Sequence, residues 1–147
     1  MCRVIGVLVG RGCSDRWDEG GSSVKKYHDS VLRNVLPKLQ RDFRVSTDAK
    51  DLTFGGSGLG GVNALCMAIK HPEAFANFII DSPAFWLAEK RFLEEVCEMD
   101  SISSPHIIIT MGQNELPLTS DNNGEIDKLL VENVAMFSNV LKKKFGT

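Results

Sequence analysis

A glycine-rich segment, residues 55–61, places the strongest limit on how this 147-residue chain can fold. Five of its seven residues are glycine. It follows a short β-rich run at 52–54 and precedes an apolar helical pattern at 61–70 that stops before Pro72. A strand that passes directly into a helix needs positive φ angles or very close backbone approach, and glycine permits both. The segment therefore predicts a tight strand-to-helix turn, called here the glycine turn.

The rest of the chain repeats this alternation of strand and helix. Further β-rich runs lie at 4–9, 78–80 and 106–111, and amphipathic helical patterns lie at 24–43, 86–99 and 126–145. Pro37 lies inside the first helical pattern and is expected to kink or shorten that helix. The order β-α-β-α-β-α-β-α predicts one α/β domain over residues 1–147. We expect a mostly parallel sheet of about four strands with helices on both faces.

Composition excludes several classes of function. Seventeen basic against nineteen acidic residues give a net charge of −2, which offers no basic surface for nucleic acid or an anionic membrane. The apolar run 4–9 is far shorter than the roughly 20 residues of a membrane span, and too short for a signal peptide. The four cysteines, Cys2, Cys13, Cys66 and Cys97, show no CxxC spacing. We expect a cytoplasmic chain without metal or cofactor.

In parallel α/β sheets, ligands bind beyond the carboxyl ends of the strands. The loops at that edge are residues 10–23, the glycine turn, 81–85 and 112–123. One interpretation of the glycine turn is a nucleophile elbow, G-x-S-x-G. Counting back from Gly60 and its neighbour Gly61 puts Gly58, which has no hydroxyl, in the nucleophile position. A slipped frame would make Ser57 the nucleophile, but it puts Leu59 where close helix packing favours glycine.

A second interpretation is a site for a nucleotide or another small anion. Gly56, Gly58 and Gly61 satisfy the spacing G-x-G-x-x-G, and Asp81 lies 20 residues after Gly61, where a ribose-binding acid would stand. Free amides at a helix start can bind phosphate groups. This alternative predicts a non-catalytic binding module at residues 56–61. A third interpretation is that the glycines only permit a tight turn.

Several segments of the chain resemble one enzyme family. They are residues 27–43 (YHDSVLRNVLPKLQRDF), 53–65 (TFGGSGLGGVNAL), 71–75 (HPEAF) and 82–86 (SPAFW). Together they resemble the putative esterase family of the α/β-hydrolase superfamily, which includes esterase D-like enzymes and enterochelin esterases. The paired HPEAF and SPAFW segments are the most specific part, because the dinucleotide interpretation predicts nothing about them.

The resemblance implies a partial α/β-hydrolase fold and a serine–acid–histidine site that cleaves carboxylic esters. The family's serine falls on Gly58, its oxyanion amide on the N–H of Leu59, and its acid on Glu115. Ser82 and Trp86 fall where a substrate pocket would be lined. The implied partner is a small-molecule ester or anion.

The family's catalytic histidine has no counterpart in this sequence, and its early strands would precede Met1, so the chain resembles a family member truncated at both ends. His28, His71 and His106 are not expected to replace that histidine. We expect His28 to be half-exposed on its helix. The sequence therefore predicts a pseudoenzyme, and strand edges left uncovered could support self-association.

Overall fold

A computed structural model of the chain describes residues 22–84, 105–112 and 125–145. The chain divides into two compact units, residues 1–47 and 48–147. The predicted strand at 4–9 and the predicted helix at 86–99 lie outside the described residues, and the single domain stays a prediction. Within the described ranges, no helix is both long and apolar enough to cross a membrane.

The first unit contains one long helical segment with an irregular middle. It consists of α1 (Ser22–Ser30), a π-helical turn (Val31–Val35) and α2 (Leu36–Asp42). Pro37 lies in the first turn of α2, and the N–H of Leu36 donates to the carbonyl of Val31, five residues earlier. Because a proline ring crowds the preceding helical turn, the wider π turn gives it room. Pro37 therefore does not end the helix, which continues to Asp42.

The second unit contains a three-stranded parallel sheet in the order β1 (Thr53–Ser57), β2 (Asn77–Asp81) and β3 (His106–Thr110). The register is even, so Ser57 pairs with Asp81 and Asp81 pairs with Thr110 at the carboxyl ends. A helix, α3 (Leu59–Lys70), follows β1 and packs on β1 and β2. The α/β class with a parallel sheet is confirmed, with three of the four predicted strands among the described residues.

Strand β1 is longer than the sequence predicts. The expected strand 52–54 ended before the glycines, but β1 runs through Gly55 and Gly56 to Ser57. The reason is tertiary, because Gly55 pairs with Ile79 and Gly56 with Ile80 of β2, and this pairing overrides the low strand propensity of glycine. The following helix also begins earlier than the predicted residue 61.

Asn77 aligns the amino ends of β1 and β2. Its Nδ2 donates to the carbonyl of Lys50 at 2.8 Å and to that of Leu52 at 3.1 Å, directly before β1. Its backbone N–H also donates to the carbonyl of Leu52, at 3.3 Å. These bonds fix the register at one end of the strands, and equal strand lengths then bring Ser57 and Asp81 together at the other end.

The two faces of the sheet differ in burial, since successive side chains of a strand point to opposite faces. On the α3 side, Phe78 and Ile80 of β2 are buried, and the ring of Phe78 lies 6.4 Å from that of Phe75. On the other side, Ile79 is 46% and Ile108 is 59% exposed. The last described helix, α4 (Glu125–Phe145), buries Phe137 and Leu141, which lie four residues apart on one face.

The difference between the two faces predicts different costs for two matched substitutions. Ile80→Ala removes a fully buried side chain and should lower the free energy of unfolding by about 2–5 kcal/mol. Ile79→Ala changes the same residue type on the same strand, but its side chain is half-exposed, so we expect a cost of at most about 1 kcal/mol. Urea unfolding followed by circular dichroism measures both. Equal costs would contradict the assignment of the faces.

Candidate functional site

Gly58 is the only residue between the end of β1 and the start of α3. Its backbone has φ 58° and ψ −120°, a conformation that favours glycine. Its N–H donates to the carbonyl of Asp81 at 3.1 Å. Its carbonyl accepts from the N–H of Val62 at 3.2 Å and from that of Ala84 at 3.1 Å. Bonds from β2, from α3 and from the segment after β2 therefore hold this residue at the apex of the glycine turn.

The glycines of the turn have different reasons to be glycine. A Cβ on Gly56 would lie 2.4 Å from both the carbonyl carbon and the oxygen of Gly60, which no backbone can accommodate without moving. A Cβ on Gly61 would lie 3.1 Å from the carbonyl oxygen of Asp81. A Cβ on Gly58 would have nothing within 4 Å. Packing thus requires glycine at position 56, whereas position 58 has room for a side chain and only its backbone conformation favours glycine.

The first N–H groups of α3 follow Gly58 and make no hydrogen bond within the helix. The N–H of Val62 makes the first helical bond, to the carbonyl of Gly58, so the N–H groups of Leu59 and Gly60 precede the helical ladder. No backbone carbonyl of the described residues accepts from the N–H of Leu59. An oxygen atom placed over Gly58 could accept a hydrogen bond from this amide.

Ser57, Asp81 and Thr110 end the three parallel strands side by side, and we call them the edge row. The Thr110 hydroxyl donates to Oδ1 of Asp81 at 2.6 Å. The hydroxyls of Ser57 and Ser82 also favour the charged form of this carboxylate. Together the three hydroxyls, that of Thr110 most strongly, hold the pKa of the Asp81 carboxyl below its usual value of 3.8.

Two serines predicted to be in or near the site lie next to Asp81. Ser57 is the last residue of β1, one position before the apex; it pairs with Asp81 in the sheet, and its hydroxyl lowers the pKa of the Asp81 carboxyl. Ser82 directly follows β2 with φ 42°, and its N–H donates to the carbonyl of Thr110 at 2.8 Å. Glu115 and Trp86 lie outside the described residues. Both serines thus act on the carboxylate of Asp81, a residue that the sequence pattern indicated only as a ribose ligand.

None of the three histidines belongs to the glycine turn or to the edge row. His71 follows the last residue of α3, with Nδ1 3.5 Å from Oε1 of Glu73, and His106 begins β3 at its amino end. His28, expected to be half-exposed, is only 1% exposed. It shares a face of α1 with the buried Val24, so the prediction of a half-exposed position was wrong. Residues 22–84, 105–112 and 125–145 contain no cluster of three potential metal ligands.

A comparison with family models identifies the family of this chain. The sequence model of the family described as Putative esterase matches residues 1–146. This match confirms the family resemblance seen in the motifs. A comparison with curated protein sequences finds no match.

Two solved structures share the fold. Siderophore hydrolase EstB from Aspergillus nidulans is 23% identical with a TM-score of 0.61, over 86% of this chain and 47% of that one. Siderophore hydrolase EstA from the same organism is 20% identical with a TM-score of 0.59, over 82% of this chain and 44% of that one. The chain therefore spans less than half the length of either hydrolase.

The close approach of Gly56 and Gly60 predicts opposite outcomes for two alanine substitutions. Gly56→Ala should lower the free energy of unfolding by at least about 1–3 kcal/mol, because its Cβ overlaps the backbone of Gly60. Gly60→Ala should be neutral or raise it by up to about 1 kcal/mol, since its Cβ meets nothing within 4 Å on a helical residue. Thermal unfolding of both variants is the measurement. A harmless Gly56→Ala would contradict the described contact.

The lowered pKa of Asp81 predicts a pH dependence. Because the pKa is lower in the folded than in the unfolded chain, the stabilisation is complete above the usual value of 3.8 and is lost as the pH falls through the folded value. The stability difference between the natural chain and Asp81→Asn should therefore be larger at pH 7 than at pH 3. Urea midpoints at both pH values test this, and an unchanged difference would contradict it.

Proposed function

Because the chain belongs to the putative esterase family, we propose that it is an esterase-type protein whose hydrolytic chemistry is impaired at the nucleophile position. One observation carries the proposal. Gly58 occupies the apex of a strand-to-helix turn with φ 58° and open space for a side chain, where a nucleophile elbow holds its serine, and it has no oxygen to attack an ester.

The parts of the elbow that are made of backbone are retained. An oxyanion hole needs amides aimed at the oxygen that gains charge during acyl transfer. We assign that role to the N–H of Leu59, which no backbone carbonyl of the described residues binds. Loss of the nucleophile in a triad removes several orders of magnitude of rate and leaves only binding and oxyanion effects. The chain should therefore bind a carbonyl oxygen better than it cleaves an ester.

Ser57 does not offer a replacement nucleophile. It lies beside the Asp81 carboxylate, as a serine would lie beside a base, but the hydroxyl of Thr110 and those of both serines lower the pKa of that carboxyl. A carboxylate with a lowered pKa is a weak general base at neutral pH, because it takes up a proton only in strong acid. Ser57 is also part of strand β1 rather than of the apex.

The remaining assignments follow the family. We propose Glu115 at the acid position and Ser82 and Trp86 on the substrate side of the site. The two structural neighbours are named siderophore hydrolases, and their similarity to this chain shows the fold alone. From the family we propose carboxylic esters as the substrate class, and from the strand edges predicted to be uncovered we propose self-association.

A second candidate is the binding of a nucleotide or small anion at residues 56–61, favoured by the amides that begin α3. Asp81 weakens this candidate in its dinucleotide form. Its Oδ1 already accepts from the Thr110 hydroxyl at 2.6 Å, and the hydroxyls of Ser57 and Ser82 also act on this carboxylate, so a ribose would compete with groups of the chain itself. Thermal shifts with phosphate and with NAD separate the candidates, and stabilisation by either ligand would favour the binding module.

A pair of cysteine substitutions tests which residue occupies the nucleophile position. The thiol introduced by Gly58→Cys should lie in open space at the start of α3, where the helix dipole lowers its pKa. The thiol introduced by the control Ser57→Cys would lie in β1 beside Asp81. We expect the first to react with a disulfide reagent at pH 7 at least about tenfold faster.

The native cysteines set a background that is measured on the unmodified chain, and mass spectrometry locates each label. Faster labelling of Ser57→Cys would mean that position 58 is not the nucleophile position. Hydrolysis of p-nitrophenyl acetate by the natural chain should stay at the buffer rate. Covalent labelling of Ser57 by a serine-directed phosphonate would overturn the proposal of impaired chemistry.

A further inference from the structure

Asp81 contacts the glycine turn at two consecutive residues. Its backbone carbonyl accepts from the N–H of Gly58 at 3.1 Å, and its Cα pairs with that of Ser57 in the register of β1 and β2. One residue of β2 therefore holds both the last residue of β1 and the apex that leads into α3. These are the two residues whose backbone sets the direction in which α3 begins.

Asp81 is itself held by β3, the strand that flanks β2 on the side opposite β1. Thr110, at the end of β3, donates from its hydroxyl to Oδ1 of Asp81 at 2.6 Å. The carbonyl of Thr110 accepts from the N–H of Ser82 at 2.8 Å, and the hydroxyl of Ser82 also favours the charged form of the Asp81 carboxylate. Hydrogen bonds to an ionised carboxylate are roughly twice as strong as bonds between neutral groups. The carboxylate of Asp81 is thus tied to the end of β3, and the backbone carbonyl of the same residue binds the apex.

The apex needs such support because it is glycine. Glycine populates positive and negative φ about equally, so nothing intrinsic to residue 58 selects φ 58° over other conformations. The conformation must come from the bonds that neighbouring residues make to it. Val62 and Ala84 bind the carbonyl of Gly58, and within the described part of the chain only the carbonyl of Asp81 binds its N–H.

We propose that Asp81 is the positioning residue of the glycine turn: through Ser57 and Gly58 it holds the turn in the conformation that presents the Leu59 N–H to a ligand oxygen. The part that concerns the ligand oxygen rests on the proposed function, whereas the part that concerns the turn does not. The role differs from that of a ribose ligand and from that of a triad acid, because Asp81 acts on the backbone of the turn rather than on a substrate.

Amide hydrogen exchange in the natural chain tests the positioning directly. Asp81→Asn keeps the backbone carbonyl that binds Gly58 but removes the charge that accepts from the Thr110 hydroxyl and holds Asp81 in place, and we expect the N–H of Gly58 to exchange at least about tenfold faster. The N–H of Ile80, in the core of β2, reports global opening and should change less. Asp42→Asn is the control, because Asp42 also has a lowered pKa, through Arg41 and Lys38, but belongs to the other unit.

Unchanged exchange at Gly58 in Asp81→Asn would overturn the proposal. An equal acceleration at Ile80 would also overturn it, because Asp81 would then support the whole sheet rather than the turn. If Asp81→Asn does not fold, Thr110→Val removes the same hydrogen bond from its donor end. Acceleration at Gly58 in Thr110→Val supports the proposal, and its absence contradicts it.

The pKa of the thiol introduced by Gly58→Cys distinguishes a positioning role of Asp81 from a direct electrostatic effect of its negative charge. A negative charge that is merely close raises a thiol pKa, so removing it by Asp81→Asn would lower that pKa and speed labelling. If Asp81 instead aligns the amides that begin α3, its removal should raise the thiol pKa and slow labelling at pH 7 several-fold. The pH dependence of the labelling rate in both backgrounds distinguishes the two signs, and a lower pKa would contradict positioning.

The two experiments also separate this inference from the proposed function. In one outcome, exchange at Gly58 is faster in Asp81→Asn, but the thiol pKa in Gly58→Cys with Asp81 present stays near about 8.5. That outcome would keep the positioning role of Asp81 and remove the oxyanion role of the turn. Unchanged exchange with a clearly lowered thiol pKa would keep the proposed function and remove Asp81 from it.

Discussion

The close contact between Gly56 and Gly60 is the constraint on which the second unit depends. Because Gly56 has no Cβ, the end of β1 and the start of α3 can lie almost against each other. That approach leaves only one residue, Gly58, between the strand and the helix, and the bonds of its neighbours hold it at φ 58°. The packing of α3 on β1 and β2 and the position of the first α3 amides directly after Gly58 both follow from this short connection.

The electrostatics of the edge row limit what the turn can bind. The first amides of α3 carry the positive end of the helix dipole, which favours an oxygen with partial or developing negative charge. Asp81, at the end of the middle strand, adds a full negative charge to the same edge of the sheet. A neutral carbonyl oxygen can use the amides without strong repulsion from that carboxylate, whereas a phosphate would be repelled by it. This balance favours an ester-type ligand over a nucleotide.

Some of this structure could be predicted from the sequence because it depends on local spacing, whereas the rest depends on pairing between distant segments. The paired glycines at 60–61 identified Gly58 as the central residue of the turn, and the structure gives that residue the unusual backbone conformation. The full length of β1 and the burial of His28 arise from tertiary packing, which local patterns do not reveal. The part played by Asp81 was missed for the same reason. It lies 24 residues after Ser57, and only the parallel register makes the two residues neighbours.

The atoms that support the glycine turn are not the atom that would act as a nucleophile, which is consistent with the proposed absence of a nucleophile at position 58. The bonds that hold the apex join backbone atoms of Gly58 to Asp81, Val62 and Ala84, and none of them uses a side chain at position 58. A serine there would contribute its hydroxyl to a reaction but little to the support of the turn, and its positive φ would cost roughly 1–3 kcal/mol. Glycine removes that strain together with the reactive oxygen. The neighbours of Gly58 therefore hold the turn without any side chain at position 58, and the proposed loss of the nucleophile leaves this support unchanged.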